Sequence, residues 1–231
     1  MYYDLHIHSA LSPCSDDDMT IHNIINMALI KGLDLIAVTD HNSVKQQQCL
    51  LAVAKNKINM LVGVEIQTSD DIHVLGYFHP DSDLDKIQLY LDRYLIVQKN
   101  NPEYYGNQLI LNAQDEVVGQ EERLLISSLR RDCREVIDDI HALGGRAVLA
   151  HVYRKYGYIA KYGQLDLSLP FDGVEVLPEA KEKLLHDYPA LAKGLILSNS
   201  DAHQLGMISE PEQQLSAHEY EKLKGDLICR I

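Results

Sequence analysis

Cysteine is sparse and scattered in this sequence, with four residues at Cys14, Cys49, Cys133 and Cys229 and no Cys-x-x-Cys pair. That spacing argues against a thiolate metal clip or a disulfide framework and fits reduced, structural thiols. Basic residues are also outnumbered: 21 Lys and Arg stand against 34 Asp and Glu, giving a formal net charge of −13. A protein that coats DNA or RNA needs a basic face to displace counterions, so the balance argues against that role. No apolar run reaches the roughly 18–20 residues that span a bilayer, and Met1-Tyr2-Tyr3-Asp4 carries no basic stretch typical of a signal peptide. The expectation is a cytoplasmic protein without a membrane partner. Fixed-period repeats and low-complexity tracts are absent as well.

Histidine is what the sequence has in excess, 11 in 231 residues. It is the commonest protein metal ligand and titrates near neutrality, so its placement matters. The length fits a single domain, 1–231, able to bury its own core. Short apolar runs at Tyr2–His8, Leu33–Thr39, Asn59–Ile66, His73–Phe78, Arg146–His151, Gly173–Leu177 and Gly194–Asn199 read as strands. Most lack polar alternation, as strands covered on both faces do. Helices are expected over Ile21–Lys31, Val44–Asn56 and Ile137–Leu143, the first capped by Thr20, stapled by Met19 and Ile24, and stopped by Gly32. Strands and helices in this alternation predict an α/β fold, a closed or nearly closed βα barrel.

The alternation breaks after the fourth run, and residues 80–131 read as an insertion over the barrel mouth. Within and just beyond it, helices are expected at Asp83–Gln98 and Leu124–Ile140, the latter with an alternative reading that breaks it near Arg131-Asp132, and a small hairpin is expected to turn around Asn112–Asp115. The tail from Ser209 to Ile231 is expected to form a helix on the outside.

His6 and His8 close the first run, where residues i and i+2 share a face and can reach one ion. His41 follows the second run, Glu65 ends the third, His151 ends the fifth, and Asp201 and His203 follow the seventh. All of these fall at strand carboxyl ends, where a parallel barrel collects functional groups; His73, which opens the fourth run, is the exception. So much uncompensated polarity at strand ends is costly to bury, and a metal satisfies several such groups together. Imidazole and carboxylate without thiolate suit Zn, Mn or Fe. The donors are too many for one four-coordinate ion, which implies two or three divalent ions sharing ligands.

The segments Asp4-Leu5-His6-Ile7-His8-Ser9, Thr39-Asp40-His41-Asn42, Gly63-Val64-Glu65-Ile66, Ile72-His73-Val74-Leu75-Gly76-Tyr77, Ala150-His151 and Ser200-Asp201-Ala202-His203 resemble, in order, the motifs of the PHP (polymerase and histidinol phosphatase) domain. The resemblance implies a distorted (βα)7 barrel of the PHP type, with the insertion after strand four. It also implies a trinuclear metal centre that hydrolyses phosphoesters with metal-activated hydroxide. By that resemblance His6, His8, Glu65 and Asp201 hold one ion, and Glu65 bridges to a second with His73 and His151. His41, His203 and an acidic residue hold the third. The family often has Ser-Asp-Gly soon after the first histidine pair, whereas this chain has a longer stretch ending in Asp16-Asp17-Asp18. Asp16 is the choice for the third site, with Asp17 behind it and Asp18 left to the helix N-terminus. Similar members carry His-Pro-x-Arg after strand five; here His151-Val152-Tyr153-Arg154 keeps the arginine without the proline.

Arg154 is therefore the candidate phosphate-binding residue, with Arg130 and Arg131 of the insertion behind it. Asp40 is expected to orient a ligand or move a proton, and His203 to assist the leaving group. Asn42 is expected to stabilise its turn or touch substrate. The expected substrate is a small phosphoester such as a nucleotide or sugar phosphate. The alternatives are exonuclease-type cleavage of a short oligonucleotide and an amidohydrolase, though no lysine closes a central strand to serve as a carbamylated bridge.

Overall fold

The structure is a computed structural model that describes residues 1–225, so Cys229 and the end of the expected tail helix lie outside the described residues. Seven strands form one curled sheet: β1 (Tyr3–Ile7), β2 (Leu35–Val38), β3 (Asn59–Gln67), β4 (His73–Phe78), β7 (Arg146–Leu149), β8 (Gly173–Glu175) and β9 (Leu195–Leu197). The remaining pair, β5 (Leu109–Leu111) and β6 (Val117–Gln120), is the expected hairpin of the insertion. All seven apolar runs became strands of the main sheet.

The expected all-parallel order needs one correction. β4 pairs antiparallel with both β3 and β7, while the remaining ladders are parallel. The cause is the connection: only 68–72 separate β3 from β4, and a parallel return needs a crossover of about a dozen residues or more. A tight turn forms instead. Thr68 N–H donates to the Ile72 carbonyl at 2.9 Å, Ile72 N–H donates to Thr68 Oγ1 at 2.9 Å, and Asp71 takes φ +50°. Reversal puts the start of β4 level with the end of β3, with His73 opposite Gln67. His73 therefore joins the same mouth as the other histidines.

The sheet edges β1 and β9 share no ladder with each other but are laced together. Ile7 bridges Ala202, Leu5 N–H donates to Asn199 Oδ1 at 3.0 Å, and Ser198 N–H donates to Tyr3 Oη at 3.1 Å. Buried Asp4 accepts from Ser200 Oγ and from Ser209 N–H at 2.8 Å. Burial pushes its carboxyl pKa up, partly opposed by the Ser200 hydroxyl. The result is a nearly closed, distorted barrel.

Tyr3, Leu5, Leu35, Ala37, Leu61, Leu75, Tyr77, Val148 and Leu197 share the inner apolar cluster. Ile7, Ile36, Val38 and Met60 pack instead with α1 (Ile21–Ile30) and α2 (Gln47–Ala54). The β1–β2 register shifts between Asp4 and Ile7, as a bulge does when it re-aims a strand. Thr20 caps α1, accepting from Asn23 N–H at 3.4 Å, and the chain turns at Gly32 with φ +75°.

Residues 80–131 hold α3 (Leu84–Tyr94), the single turn α4 (Pro102–Tyr105) and the hairpin. The helix expected over Leu124–Ile140 begins only at Cys133, as α5 (Cys133–Ala142). Asp132 and Glu135 form a reciprocal capping box that sets this start. Upstream, Leu124, Leu125 and Leu129 bury as irregular chain, and Leu129 N–H donates to the Gln67 carbonyl at 2.8 Å. Beyond the sheet lie α6 (Tyr158–Tyr162), α7 (Lys181–Asp187) and α8 (Ala217–Leu223), the last a shorter piece of the expected tail helix.

Candidate metal centre

Six segments of the chain deliver donors to one end of the barrel. His6 and His8 come from the end of β1, His41 from the loop after β2, and Glu65 from β3. His73 opens β4, His151 follows β7, and Asp201 and His203 follow β9. The backbone there is locally left-handed at Asn42 (φ +47°), His151 (+27°), Tyr156 (+63°) and Asp201 (+55°). Non-glycine residues rarely adopt such angles, and packing must hold them there.

Glu65, 1 % exposed, stands at the centre. Its Oε1 lies 2.7 Å from His73 Nδ1, 3.2 Å from His151 Nε2 and 3.4 Å from His6 Nε2. Its Oε2 lies 3.2 Å from His41 Nδ1 and 3.3 Å from His8 Nε2. Asp201 Oδ1 is 3.2 Å from His6 Nε2 and 3.4 Å from His8 Nε2. Three compact donor groups result: His6, His8 and Asp201; Glu65, His73 and His151; and His8, His41 and His203. His73 Nε2 and His151 Nδ1 are buried without a hydrogen-bond partner, and a buried ring nitrogen without a partner is costly. Facing lone pairs and convergent carboxylates, with few hydrogen-bond partners to share, fit divalent cations and suit no apolar or anionic ligand.

Behind the donors, two buried carboxylates fix two imidazoles. Glu175 Oε2 lies 2.8 Å from His6 Nδ1 and accepts from Asn199 Nδ2 at 3.2 Å. That bond directs His6 Nε2 toward Asp201 and Glu65. His8 Nδ1 lies 3.1 Å from Ser12 Oγ, and Ser12 Oγ donates to Asp40 Oδ1 at 2.7 Å. Asp40 also takes the Ser9 N–H and hydroxyl at 2.8 and 2.7 Å. Its link to the donor cluster runs through Ser12. In the sequence Glu175 shows only as a lone carboxylate near the end of the buried run Gly173–Leu177.

Charge follows from this packing. Burial disfavours protonated His6, but the Glu175, Asp201 and Glu65 charges override it and raise its pKa well above the usual range. His8 moves the same way, to about 9, against burial, through the hydrogen bonds its imidazole donates to Asp201 and Glu65. His41 goes well below its usual value because burial is not offset, and burial with the His8 charge takes His203 to about 4. Burial also works against ionised Glu65, yet the surrounding imidazoles hold its carboxyl well below the usual range.

Arg154 borders the site, 39 % exposed, with Nη2 3.0 Å from Asp201 Oδ2 and 3.7 Å from Glu175 Oε1. Donors, Arg154 and Lys155 line one open cavity of about 420 Å3, together with Cys14, Gln67, Ile126 and Tyr156. Asp16 is not gathered with the others. It is exposed, its N–H donates to the His203 carbonyl at 3.0 Å, and His8 takes the place expected of it beside His41 and His203. Asp17 binds Asn107 Nδ2 instead, at 2.7 Å. Arg131 packs on the Tyr94 ring and pairs with Glu135, and Arg130 donates to the Arg93 carbonyl, so both serve the insertion. Asn42 stabilises its turn without lining the cavity.

Solved structures share this architecture. A provisionally assigned metal-dependent phosphoesterase from Bifidobacterium adolescentis superposes with a TM-score of 0.67 at 18% identity, covering 99% of this chain and 98% of its own. The lesion-specific endonuclease PfuEndoQ from Pyrococcus furiosus gives 0.69 at 20%, with 96% of this chain matched to 55% of that one. An amidohydrolase from Chromobacterium violaceum, solved with bound sulfate and no metal, gives 0.64 at 18%, covering 97% and 96%. No curated protein matches the sequence. The PHP domain profile matches residues 4–224, and with nearly the whole chain covered, the protein belongs to the PHP domain family.

Proposed function

We propose that this chain is a metal-dependent phosphoesterase acting on a small phosphoester. The observation that carries the reading is the adjacency of three donor groups and the half-exposed Arg154 guanidinium in one cavity. His6, His8, His41, Glu65, His73, His151, Asp201 and His203 would hold two or three divalent ions. Bound there, such ions supply positive charge for phosphate oxygens and acidify water. Arg154 grips the non-bridging oxygens through its planar fork, exchanging part of its contact with Asp201 for substrate. Glu175 and the Ser12–Asp40 pair keep His6 and His8 aimed at the centre. His203, neutral near pH 7 by virtue of burial and the His8 charge, is a ligand or proton acceptor before it can serve as a donor. Asp16, exposed at the mouth, is a ligand under this reading only if its loop turns inward.

Zn, Mn and Fe all suit the donor chemistry. A cavity of about 420 Å3 and the net charge of −13 favour a nucleotide-sized or sugar-sized ester over a polymer. The test is a phosphoester panel assayed with each ion supplied, alongside metal analysis of the purified protein. Phosphate release from monoesters is the expected result. Cleavage confined to labelled oligonucleotides would turn the reading to an exonuclease. Turnover of amides or lactones, without phosphate release or phosphodiester cleavage, would turn it to an amidohydrolase.

A further inference from the structure

Among the described residues of 80–131, Ile126 lines the cavity, and Asn42 fastens the residues on either side of it. Asn42, 1 % exposed and left-handed at φ +47°, sits immediately after His41. Its Nδ2 donates to the Leu125 and Ser127 carbonyls, both at 2.7 Å. On its other side, its N–H donates to the Glu65 carbonyl at 2.9 Å and its Oδ1 accepts from Gln67 N–H at 3.3 Å. One amide thus ties the loop after β2 and the end of β3 to the residues flanking Ile126. Leu125 is anchored again, through its N–H to Gln108 Oε1 at 2.8 Å, and its side chain is fully buried. Ile126, pinned on both sides, is partly exposed and lines the cavity.

Among the described residues Ile126 is the one aliphatic side chain in a wall of imidazoles, carboxylates, cations, an amide, a thiol and the Tyr156 ring. That ring is already engaged, stacked on His73 at 4.6 Å with Lys155 Nζ 4.6 Å from its centre. Under the phosphoesterase reading, the phosphoryl end of a substrate is claimed by the donor cluster and Arg154, which leaves the ester group to meet the rest of the wall. An apolar group covering Ile126 removes both surfaces from water, whereas a polyhydroxylated group must give up hydration there without a donor or acceptor in return. We infer that Ile126 is a specificity-determining contact for an apolar leaving group, and that Asn42 is its positioning residue. The inference rests on the proposed activity but concerns what the insertion adds to it.

The test compares phenyl phosphate with glycerol phosphate on the metal-loaded full chain, and in parallel measures binding of phenylphosphonate and methylphosphonate by calorimetry. Wild type is expected to favour the phenyl member of each pair. In Ile126→Ala the preference, read as the ratio of kcat/KM or of Kd values, should fall about tenfold. Asn42→Gly, which keeps the left-handed backbone accessible but removes the amide, should lower the ratio similarly while metal content stays at the wild-type level. Asn42→Asp, whose carboxylate faces two carbonyls, should do the same. An unchanged ratio in Ile126→Ala, or a wild type without preference in either pair, overturns the inference. Phosphonates that bind with the expected preference while neither ester turns over would count against the phosphoesterase reading and leave the Ile126 contact standing.

Discussion

Replacing Glu175 by Gln would test whether the buried carboxylate behind His6 sets the strength of the metal centre. The His6–Glu175 bond is 2.8 Å long between groups that are 0 % and 2 % exposed. A buried hydrogen bond to a charged group contributes about 1.5–3 kcal/mol. Loss of an outer partner of a metal-binding histidine weakens metal affinity by roughly 10–100-fold, equivalent to about 1.4–2.8 kcal/mol, so the two scales agree. The structure says where in that range the variant should fall. A Gln carbonyl facing His6 still accepts the Nδ1 proton, while its amide would face Arg154 Nη2, which lies 3.7 Å from Glu175 Oε1; this arrangement sits nearer tenfold. The flipped amide donates to Nδ1 and moves the His6 proton to Nε2, the atom facing Asp201 and Glu65, which sits nearer a hundredfold. Metal-stripped protein titrated with Mn by calorimetry reads the affinity, and 15N NMR reads the His6 tautomer. Wild-type affinity for every ion in Glu175→Gln would refute the assignment of Glu175 as a positioning residue.

Three further outcomes are expected. Asp201→Asn keeps the side-chain shape and a residue that tolerates φ +55°, but removes the charge beside His6, His8 and Arg154. Turnover should fall roughly a hundredfold or more with an unchanged circular dichroism spectrum, and a full rate at full metal content would refute the role. Arg154→Ala should lower kcat/KM for phosphomonoesters by about 10–100-fold, the worth of a charge-assisted contact of about 1.5–3 kcal/mol; unaltered steady-state kinetics would remove Arg154 from the site. On the insertion, burial raises the Glu121 carboxyl pKa, but Arg123 and Lys45 outweigh it and hold the pKa at about 2 rather than 4.5. A depressed carboxyl contributes stability above pH 4.5 and loses it as pH falls toward 2, here up to about 3 kcal/mol. The melting-temperature gap between wild type and Glu121→Gln should therefore shrink across that window, and a gap independent of pH would refute the linkage.

Seven strands and most donors were legible because both follow local rules. Buried strands read as continuous apolar runs, and histidines at their ends stand out against them. The helix start at Cys133 was also present in the sequence, as the Asp132–Glu135 capping box, but the apolar residues upstream of it imitated helical spacing. Asp16 is put forward as a ligand by the family resemblance, which expects an acidic residue after the first histidine pair. In three dimensions its loop points it to solvent, and His8 stands beside His41 and His203 instead.

What the sequence alone determined was the class of chemistry: imidazoles and carboxylates at successive strand ends, an acidic chain, and motifs in the order of one family. Tertiary structure decided which groups meet. Reversal of β4 brought His73 to Glu65, pairing across the sheet placed Glu175 behind His6, and Asn42 fastened residues 125–127 to the rim. Composition and spacing act over a few residues, whereas these contacts join residues 8 to 169 positions apart. They form only once strand direction and register have been settled by packing.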